Sequence, residues 1–507
     1  MIAVGALASA AAAVFDPGAL VSLLAGVLVG LVGGAIPGIT ITMTTILVLP
    51  FTFGMDTVNG IATMIGVYVG GESGGLVTAC LLGMPGTPSA IATTFDGFPM
   101  ARQGEPGRAV WLGIWSSLFG GLIAGVFLVY GTIWLGRLAL QFGPWEYFSL
   151  FILTLSIVAS LSEGSMLKGL VSGTVGLLAT TVGTDPIMSV ERFTFGTDLL
   201  KSGFPFLPIL IGIYGVTQIV ADVQRLREGD ARLKARVDQA RLAVRHLAVI
   251  GEVLRGWGNL IRSTLIGLWI GVLPAVGGSA ANILAYDQAR KWSRRPERFG
   301  HGSPEGIVAS ESANNANVAG SLVTIMAFGI PGDAVTAVML GALLVHGIAP
   351  GPLFMTNNLD VAYAMFLAYF VACVATVAVE AAILRVFLRL INVPRDVLFP
   401  VILVLCVIGA YALNNLWADV WTLFFFGILG VLMVRYGFPL APIILGVILG
   451  NQIELNFIRA LMTDADPWLF LTRPLSGIML LLTLASVAIA IWQTRRGARA
   501  EAIEVEG

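Results

Sequence analysis

The polar residues best suited to chemistry lie in stretches that are otherwise apolar. In the first stretch, Pro85 and Gly86 should break a helix, and Thr87, Pro88 and Ser89 follow the break. Thr87 is a favourable N-cap, and proline suits the first helical position. Hydroxyl groups beside the free amides of a helix start can hold an anion. The stretch therefore predicts a cradle for a carboxylate, and the alternative is an ordinary kink packed by small residues.

The second stretch carries a carboxylate and two amides within one helical turn. Asn314 and Asn315 follow Glu311 by three and four positions, which places them near it on one helix face. Their oxygens could bind a sodium ion, or Glu311 could carry a proton. The alternative is that they join neighbouring helices by hydrogen bonds. Because polar groups are costly inside a membrane, we interpret them as part of a site.

Proline and glycine also interrupt other apolar segments, and each interruption exposes backbone amides that can bind an anion. Asp333 directly follows one of them, where we expect it to cap a helix rather than bind a ligand. Asp96 and Asp185 precede Gly and Pro and are interpreted as turn residues. The remaining interruptions are at Pro37 and Gly38, at Pro274, and at Pro331 and Gly332. Thr40 follows the first of these, and Ser279 and Asn282 follow the second.

The composition indicates the elements that hold these residues. Of the 507 residues, 57% are hydrophobic and only 12% are charged, and the mean hydropathy is +0.88. This excludes a nucleic-acid-binding protein, which needs clustered basic residues on a water-facing surface. The apolar runs do not alternate as barrel strands do. We therefore predict an all-α, polytopic membrane protein with about 10–12 membrane segments of roughly 20 residues each.

Three pairs of similar segments indicate that the chain is an internal duplication. GAIPG (34–38) matches GVLPA (271–275), GMPG (83–86) matches GIPG (329–332), and GFPFLPILIG (203–212) matches GFPLAPIILG (437–446). Interrupted helices at matching places in two halves are typical of the binding site of a secondary transporter. We expect two repeats of inverted orientation with broken helices and re-entrant hairpins. The predicted parts are a first membrane repeat (1–221), a basic cytoplasmic linker (222–260), a second membrane repeat (261–495) and a polar C-terminal tail (496–507).

The basic residues predict orientation. Nine of the 29 basic residues fall between positions 222 and 262, and a second cluster occupies 290–298. Both clusters should face the cytoplasm by the positive-inside rule. The segment between them is too short for two spans, so we expect a re-entrant hairpin around Pro274.

Other classes of protein have little support in the sequence. The three cysteines lie in apolar stretches without paired spacing, so no metal site or disulfide framework is indicated. No phosphate-binding P-loop and no HExxH motif occurs. Two rival functions stay open: an uncoupled channel for small anions, and a membrane enzyme acting on lipid-linked substrates. The enzyme would need an acid and a base in reach of each other, and we find no such pair.

The longest motifs resemble the large membrane (permease) subunit of the tripartite tricarboxylate transporter family, over about residues 20–490. The most specific segments are GMPGTPSAIATTFDGFPMARQGEPGRAV (83–110), GTVGLLATTVGTDPIMSVERFTFGTDLLKSG (173–203), FGHGSPEGIVASESANNANVAGS (299–321), FGIPGDAVTAVMLGALLVHGIAPGP (328–352) and LGVILGNQIELNFIRAL (445–461).

The resemblance implies a multi-pass secondary transporter of the bacterial inner membrane that imports carboxylates and is not an enzyme. It implies a periplasmic solute-binding protein that delivers substrate, a small four-helix membrane subunit, and an ion gradient of Na⁺ or H⁺ as the driving force. Alternating access by an elevator-like motion is expected. No other cofactor and no nucleic acid is implied, and two copies could form a homo-oligomer.

The chain departs from the family pattern at three places. The usual aromatic and hydroxyl of a Y-G-G-S stretch are replaced by Ser73 and Leu76, a P-G-x-G pattern reads PAVG at 274–277, and Asp333 replaces a small hydroxyl residue. The substrate and the coupling ion could therefore differ from those of citrate carriers.

The hypothesis for the site is that two broken hairpins, one from each half, meet around a carboxylate near the bilayer midplane. Glu311 is the predicted ion- or proton-coupling residue. The predicted substrate-binding residues are Thr40, Thr87, Ser89, Ser279, Asn282, Asn314 and Asn315, and the predicted breaks are Pro37, Gly38, Pro85, Gly86, Pro274, Pro331 and Gly332.

Overall fold

A computed structural model describes residues 4–36, 39–161, 165–185, 189–227, 242–390 and 395–506. The predicted break at Pro37 and Gly38 lies outside these residues, as does the middle of the basic linker, 228–241. The predictions at these positions stay predictions.

Helices make up almost all of the regular structure in the described ranges, as the apolar composition predicts. A two-stranded antiparallel hairpin, β1 (Gly183–Thr184) with β2 (Glu191–Arg192), accompanies them. The helices are α1 (Val4–Val14), α2 (Pro17–Ala35), α3 (Ile41–Thr52), α4 (Thr57–Leu82), α5 (Ile91–Arg102), α6 (Pro106–Ala139), α7 (Pro144–Leu161), α8 (Met166–Thr180), α9 (Phe206–Leu210), α10 (Thr217–Arg227), α11 (His246–Arg255), α12 (Trp257–Val272), α13 (Gly277–Trp292), α14 (Pro304–Phe328), α15 (Ala334–Val345), α16 (Phe354–Asn357), α17 (Leu359–Leu390), α18 (Arg395–Asn414), α19 (Trp417–Arg435), α20 (Ala441–Thr463), α21 (Leu469–Thr472) and α22 (Pro474–Glu506).

The helices confirm an all-α, polytopic membrane protein. Within the described residues, seven helices are long and apolar enough to cross a membrane, and further apolar helices of 10–17 residues accompany them. Among the long ones, α4 is fully buried within the protein. The predicted count of 10–12 segments, the positions of the repeats and their orientation are not tested by these lengths.

The chain divides into two compact units, and each draws on both halves of the sequence. Unit 1 contains residues 1–137 and 222–409, and unit 2 contains residues 138–221 and 410–507. All the predicted site residues fall in unit 1.

Glycines let the helices of unit 1 pack with their backbones in contact. A methyl group on Gly30 of α2 would lie 2.3 Å from the carbonyl oxygen of Val67 on α4, and one on Gly34 would lie 2.2 Å from that of Gly71. Such distances leave no room for a side chain, so these positions require glycine. Small residues at four-residue spacing are the usual means of close helix packing in membranes.

The same contacts recur between α12 and α14. A methyl group on Gly267 would lie 2.1 Å from the oxygen of Ala313, and one on Gly271 would lie 2.3 Å from that of Asn317. Gly267 and Gly271 follow Gly30 and Gly34 by 237 residues. The residues whose carbonyl oxygens they face, Ala313 and Asn317, follow Val67 and Gly71 by 246 residues. These equivalent contacts at the spacings of the sequence motifs support the internal duplication.

Unit 2 contains the third pair of similar segments. Gly203 and Gly437, which begin them, both adopt the left-handed backbone conformation, with φ of 70° and 72°. Within this unit α8 packs on α20 through glycines: a methyl group on Gly176 would lie 2.1 Å from the oxygen of Ile443. Glu454 of α20 pairs with Arg192 of β2, which fixes the short hairpin to the helix.

Candidate functional site

Pro85 and Gly86, where the sequence predicts a break, lie in an irregular stretch between two helices. Helix α4 ends at Leu82 and is capped by Gly83, which has a left-handed φ of 68° and donates its N–H to the carbonyl of Ala79. Residues 83–87 are then irregular until a short 3₁₀ turn, Pro88–Ala90, leads into α5. A methyl group on Gly86 would lie 2.1 Å from the oxygen of Gly34. The break therefore packs closely against the C-terminal end of α2.

Pro331 and Gly332 also lie in an irregular stretch between two helices, and this stretch has the same geometry. Helix α14 ends at Phe328 and is capped by Gly329, with φ of 70°, and α15 begins at Ala334 after an irregular stretch. A methyl group on Gly332 would lie 2.5 Å from the oxygen of Gly271. The two halves thus build matching interruptions, each held against the end of a neighbouring helix.

The third described break lies at Pro274, where α12 and α13 form the predicted hairpin. Each helix has 16 residues, fewer than the roughly 20 needed to cross a membrane. Residues 273–276 join them without helical structure, and Ala275 has a positive φ of 57°. The N-cap residue of α13, Val276, offers no side-chain acceptor to the first amides of the helix.

The interruptions of the two halves meet at Gly278, in the first turn of α13. A methyl group on Gly278 would lie 3.0 Å from Cβ of Ser89 and 2.9 Å from Oδ1 of Asn314. On Gly277 it would lie 4.0 Å from Cβ of Asp333. The start of α13 therefore lies beside both Ser89 after the first-half break and Asp333 after the second-half break.

Unpaired amide groups surround this meeting point. Asn314 and Asn317 are fully buried, yet Oδ1 of Asn314 and both polar atoms of Asn317 have no hydrogen-bond partner among the described atoms. Nδ2 of Asn317 would lie 3.7 Å from a methyl group on Gly278. Buried amides are almost always paired, so these atoms mark a place where a ligand or water can bind.

The two predicted hydroxyl groups lie at the same place but are joined to an acid. Thr87 and Ser89 are hydrogen-bonded to each other at 3.0 Å, and Ser89 donates to Oε2 of Glu72 at 2.6 Å. Thr87 stands at the N-cap position before Pro88, as predicted, but makes no cap bond. The cradle therefore includes a buried carboxylate, Glu72, that sequence reasoning missed. A carboxylate inside a long apolar helix was the signal for it.

Glu311, the predicted coupling residue, is completely buried and held by hydroxyl groups. Its Oε1 accepts a hydrogen bond from Thr93 of α5, and its Oε2 accepts one from Ser117 of α6 at 3.0 Å. The hydroxyl oxygens of Thr93 and Ser310 lie 3.0 Å apart. Glu311 therefore joins three helices of unit 1.

Asn282 lies beside this network, and its side-chain amide is fully hydrogen-bonded to other parts of the protein. Its Oδ1 accepts from the backbone N–H of Ala92 at 2.7 Å, and its Nδ2 donates to the carbonyl of Ser310 at 3.2 Å. These bonds tie α13 to α5 and α14. Asn282 positions the neighbours of the site, and no donor of this side chain is left for a substrate.

The remaining predicted residues occupy different places. Asn315 accepts from Ser73 at 3.3 Å and lines a small cavity separate from the meeting point. Ser279 is half-buried in the first turn of α13. Thr40 caps α3 by accepting from the N–H of Met43 at 3.1 Å.

Asp333 caps α15, which confirms the predicted role. Its Oδ1 accepts from the N–H of Thr336 at 2.8 Å, and the backbone N–H of Asp333 donates to the hydroxyl oxygen of Thr336 at 3.0 Å. The other carboxylate oxygen accepts from the hydroxyl groups of Tyr68 and Ser321. The carboxylate is therefore fully occupied at the start of α15.

The interpretation of Asp96 as a turn residue is wrong. Asp96 lies inside α5 and is fully buried. Its Oδ1 accepts from the backbone N–H groups of Gly300, Gly302 and Ser303 at 2.9, 2.8 and 2.7 Å. The Asp-Gly pair suggested a turn, but the contacts with the distant loop keep the segment helical.

The described residues also bear on the enzyme and metal alternatives. Gly71 to Gly75 match the letters G-x-S-x-G, which sequence reasoning overlooked. Ser73, however, lies in the middle of α4 and not on the strand-to-helix turn of a hydrolase nucleophile. In the described part of the chain, no group of three or more His, Cys, Asp or Glu side chains could hold a metal ion.

Comparison with known proteins agrees with this architecture. The chain is 35% identical over 476 residues, 94% of its length, to an uncharacterized 52.8 kDa protein in the TAR-I ttuC' 3' region of Agrobacterium vitis, of which the match covers 93%. It is 32% identical over 234 residues, 46% of its length, to an uncharacterized protein in the TAR-II ttuC' 3' region of the same organism, of which the match covers 97%. No solved structure matches the chain. Residues 20–445 match the family model described as the tripartite tricarboxylate transporter TctA family, and the chain therefore belongs to this family of membrane permeases.

Proposed function

We propose that this permease moves carboxylates across the bacterial inner membrane and holds them where the helix breaks of its two halves meet. The observation that carries the proposal is the contact of Gly278 with Ser89 and Asn314, beside the unpaired amide of Asn317. The first amides of α13 are uncapped, so they add N–H donors and the positive end of the helix dipole. These amides and Nδ2 of Asn317 are the donors of an anion site without a lysine or arginine, and the unpaired Oδ1 of Asn314 is an acceptor beside them.

The acids beside the site supply a physical reason for ion coupling. Glu72 is bonded to Ser89, and Asp333 lies against Gly277. A substrate carboxylate bound between them would meet two further carboxylates in a low-dielectric environment, where repulsion is strong. A cation or a proton that enters with the substrate removes this repulsion. We therefore propose symport driven by a Na⁺ or H⁺ gradient.

Glu311 is the residue we propose for transmitting ion binding to the substrate site. It is bonded to Thr93 at the start of α5, and Thr93 follows the Pro85 break by eight positions. Neutralising Glu311 changes how strongly it holds Thr93 and Ser117. The position of α5, and with it that of Ser89, then depends on the state of the coupling group.

The division of the chain into units supports alternating access of an elevator-like type. Unit 1 contains the three described breaks and every residue proposed for the site, and unit 2 contains none of them. A carrier that moves its whole site needs all of the site on one compact body. We propose that unit 1 is this moving body and that unit 2 is the stationary one.

The partners follow from membership of a tripartite family. We propose a periplasmic solute-binding protein that delivers the carboxylate and a small four-helix membrane subunit that accompanies the permease. The test is uptake into proteoliposomes that contain this chain and its small subunit, with the binding protein outside and radiolabelled citrate or a dicarboxylate as probe. Na⁺ and H⁺ gradients are imposed separately.

Concentrative uptake that requires the binding protein and one of the two gradients supports the proposal. Uptake that follows the membrane potential alone, without a coupled ion, would favour the channel instead. Gly251→Ala serves as a control for mutagenesis and reconstitution, since nothing lies within 4 Å of a methyl group there.

A further inference from the structure

A second polar site lies in unit 1, apart from the meeting point of the breaks. A small cavity of about 10 Å³ is enclosed by α4, α6, α14 and α17. Its polar lining is Ser73, Ser117, Asn315, Thr376 and Glu380, and its other lining residues are Val69, Ile114, Leu118, Cys373 and Val377. The volume suits one particle the size of a water molecule.

Glu380 is the residue that requires an explanation. It lies on α17, a membrane-span candidate, and is completely buried. Neither of its carboxylate oxygens has a hydrogen-bond partner among the described atoms, and the hydroxyl group of Thr376, one helical turn earlier, has none either. An isolated carboxylate in such a place is very unfavourable unless a cation or proton neutralises it.

The other lining groups are oxygen ligands. Asn315 uses Oδ1 to accept from Ser73 at 3.3 Å, and Ser117 donates its proton to Glu311 at 3.0 Å. The hydroxyl oxygens of Ser73 and Ser117 each retain lone pairs. Among the described residues of the lining there is no lysine, arginine or histidine. The cavity therefore presents several neutral oxygens, one negative charge and no positive charge of its own.

We propose that this cavity binds one sodium ion, held by Glu380 with Thr376, Asn315, Ser73 and Ser117. A monovalent ion balances the one carboxylate that lines the cavity, and a space of about 10 Å³ has no room for the several waters that Mg²⁺ usually keeps. The hard oxygen ligands suit an alkali cation rather than a soft metal. A proton would neutralise Glu380 but would leave the hydroxyl of Thr376 and the free space without a partner.

Ser117 connects the sodium site to the rest of unit 1. When its oxygen coordinates the ion, its hydroxyl proton points away and strengthens the bond to Glu311. Glu311 in turn holds Thr93 at the start of α5. This part of the inference rests on the proposed function, because it makes the sodium site the source of the coupling assigned to Glu311.

The sodium site is tested by binding, in the absence of substrate and transport. The purified full-length chain is unfolded by heat in detergent, with NaCl replaced stepwise by choline chloride at constant ionic strength. Sodium should raise the unfolding midpoint of the wild type in a saturable manner, by roughly 3 °C or more. Glu380→Gln and Thr376→Val should lose most of the shift, and Ser117→Ala should need about tenfold more sodium, a loss of about 1.4 kcal/mol.

The neighbouring residue provides a matched control. Ser116 is also buried on α6, but its hydroxyl bonds to the carbonyl of Leu112 at 2.6 Å and does not line the cavity. Ser116→Ala should keep the wild-type sodium shift. If Glu380→Gln does not fold, Thr376→Val and Ser117→Ala give the answer.

A sodium shift that survives in Thr376→Val and Ser117→Ala would overturn the site. So would a midpoint that responds to pH in choline chloride but not to sodium, since the cavity would then hold a proton. Sodium-independent uptake by a chain that retains the sodium shift would overturn the coupling through Glu311 and leave the binding site standing. Loss of carboxylate uptake with the shift intact concerns the proposed function alone.

Discussion

Tyr68 of α4 donates a hydrogen bond to the carboxylate of Asp333, which lies at the helix break of the other half of the chain. The bond crosses 265 residues of sequence. Asp333 follows Thr87 by 246 residues, the spacing of the duplicated motifs, so the two residues occupy equivalent positions at the two breaks. At the second break the chain's own carboxylate occupies the start of the helix. At the first break a hydroxyl group stands in its place.

The first prediction concerns the charge of Asp333. Asparagine is as good an N-cap as aspartate, but its Nδ2 cannot accept the bonds that Tyr68 and Ser321 donate to the second carboxylate oxygen, so Asp333→Asn should keep the cap and unfold at a somewhat lower temperature. It removes a negative charge that lies against Gly277, and we expect a half-saturating substrate concentration about tenfold lower, equivalent to about 1.4 kcal/mol. The measurement is initial uptake in proteoliposomes over a range of substrate concentrations.

Asp360→Asn is the matched control, since this acid is exposed in the first turn of α17. It should leave the substrate concentration dependence unchanged. An Asp333→Asn protein with wild-type uptake would mean that its carboxylate does not act on the substrate.

The second prediction concerns the close packing of α12 on α14. A methyl group on Gly271 would lie 2.3 Å from the oxygen of Asn317, so Gly271→Ala must push the helices apart. Overpacking of this kind costs about 1–3 kcal/mol, and we expect a lower unfolding midpoint together with reduced uptake. Gly251→Ala in α11, which meets nothing within 4 Å, should be neutral or slightly stabilising. Equal midpoints for the two variants would contradict the packing described here.

The local chemistry of proline and glycine explains how much of the fold the sequence predicts. The breaks at Pro85, Pro274 and Pro331 each combine a proline with a nearby glycine of positive φ. Proline alone is not enough, because Pro50, Pro99 and Pro400 lie inside helices. The duplication is visible because each half needs glycine at the same close contacts. These features depend on neighbouring residues in the chain, so a single sequence suffices to predict them.

The use of each polar group depends on distant partners and is harder to predict. Asn282 and Asn317 are both buried amides, but one is saturated by Ala92 and Ser310, whereas the other has no partner among the described atoms. Nothing in their sequence context distinguishes them. Glu72 similarly joins the site because α4 lies beside Ser89, a relationship fixed by packing.

The third prediction concerns Asp96, whose place in α5 was not predicted. Asp96→Ala leaves the three N–H groups of residues 300, 302 and 303 without their acceptor. Ser303 is the buried residue of the three, and an unpaired buried donor costs about 1–3 kcal/mol, so we expect a lower unfolding midpoint and faster limited proteolysis between residues 299 and 303.

Asp287→Ala is the comparison for this effect. Its carboxylate pairs with Lys291 at 2.6 Å on an exposed helix face, and such surface pairs contribute about 0–1 kcal/mol. Proteolysis that is equally fast in both variants would show that Asp96 does not hold the loop.

The last prediction separates binding residues from residues that hold the site together. Asn317→Ala removes an amide without a partner among the described atoms, so stability should change little while uptake falls by about tenfold or more. Asn282→Ala leaves the buried N–H of Ala92, in the first turn of α5, without its acceptor, at a cost of about 1–3 kcal/mol. Its unfolding midpoint should fall, and its uptake should fall in proportion to the folded fraction. Thermal unfolding and uptake measured on the same preparations distinguish the two effects. If Asn317→Ala is destabilised as much as Asn282→Ala while its folded fraction transports normally, the amide of Asn317 supports the packing of α14 and the carboxylate binds elsewhere.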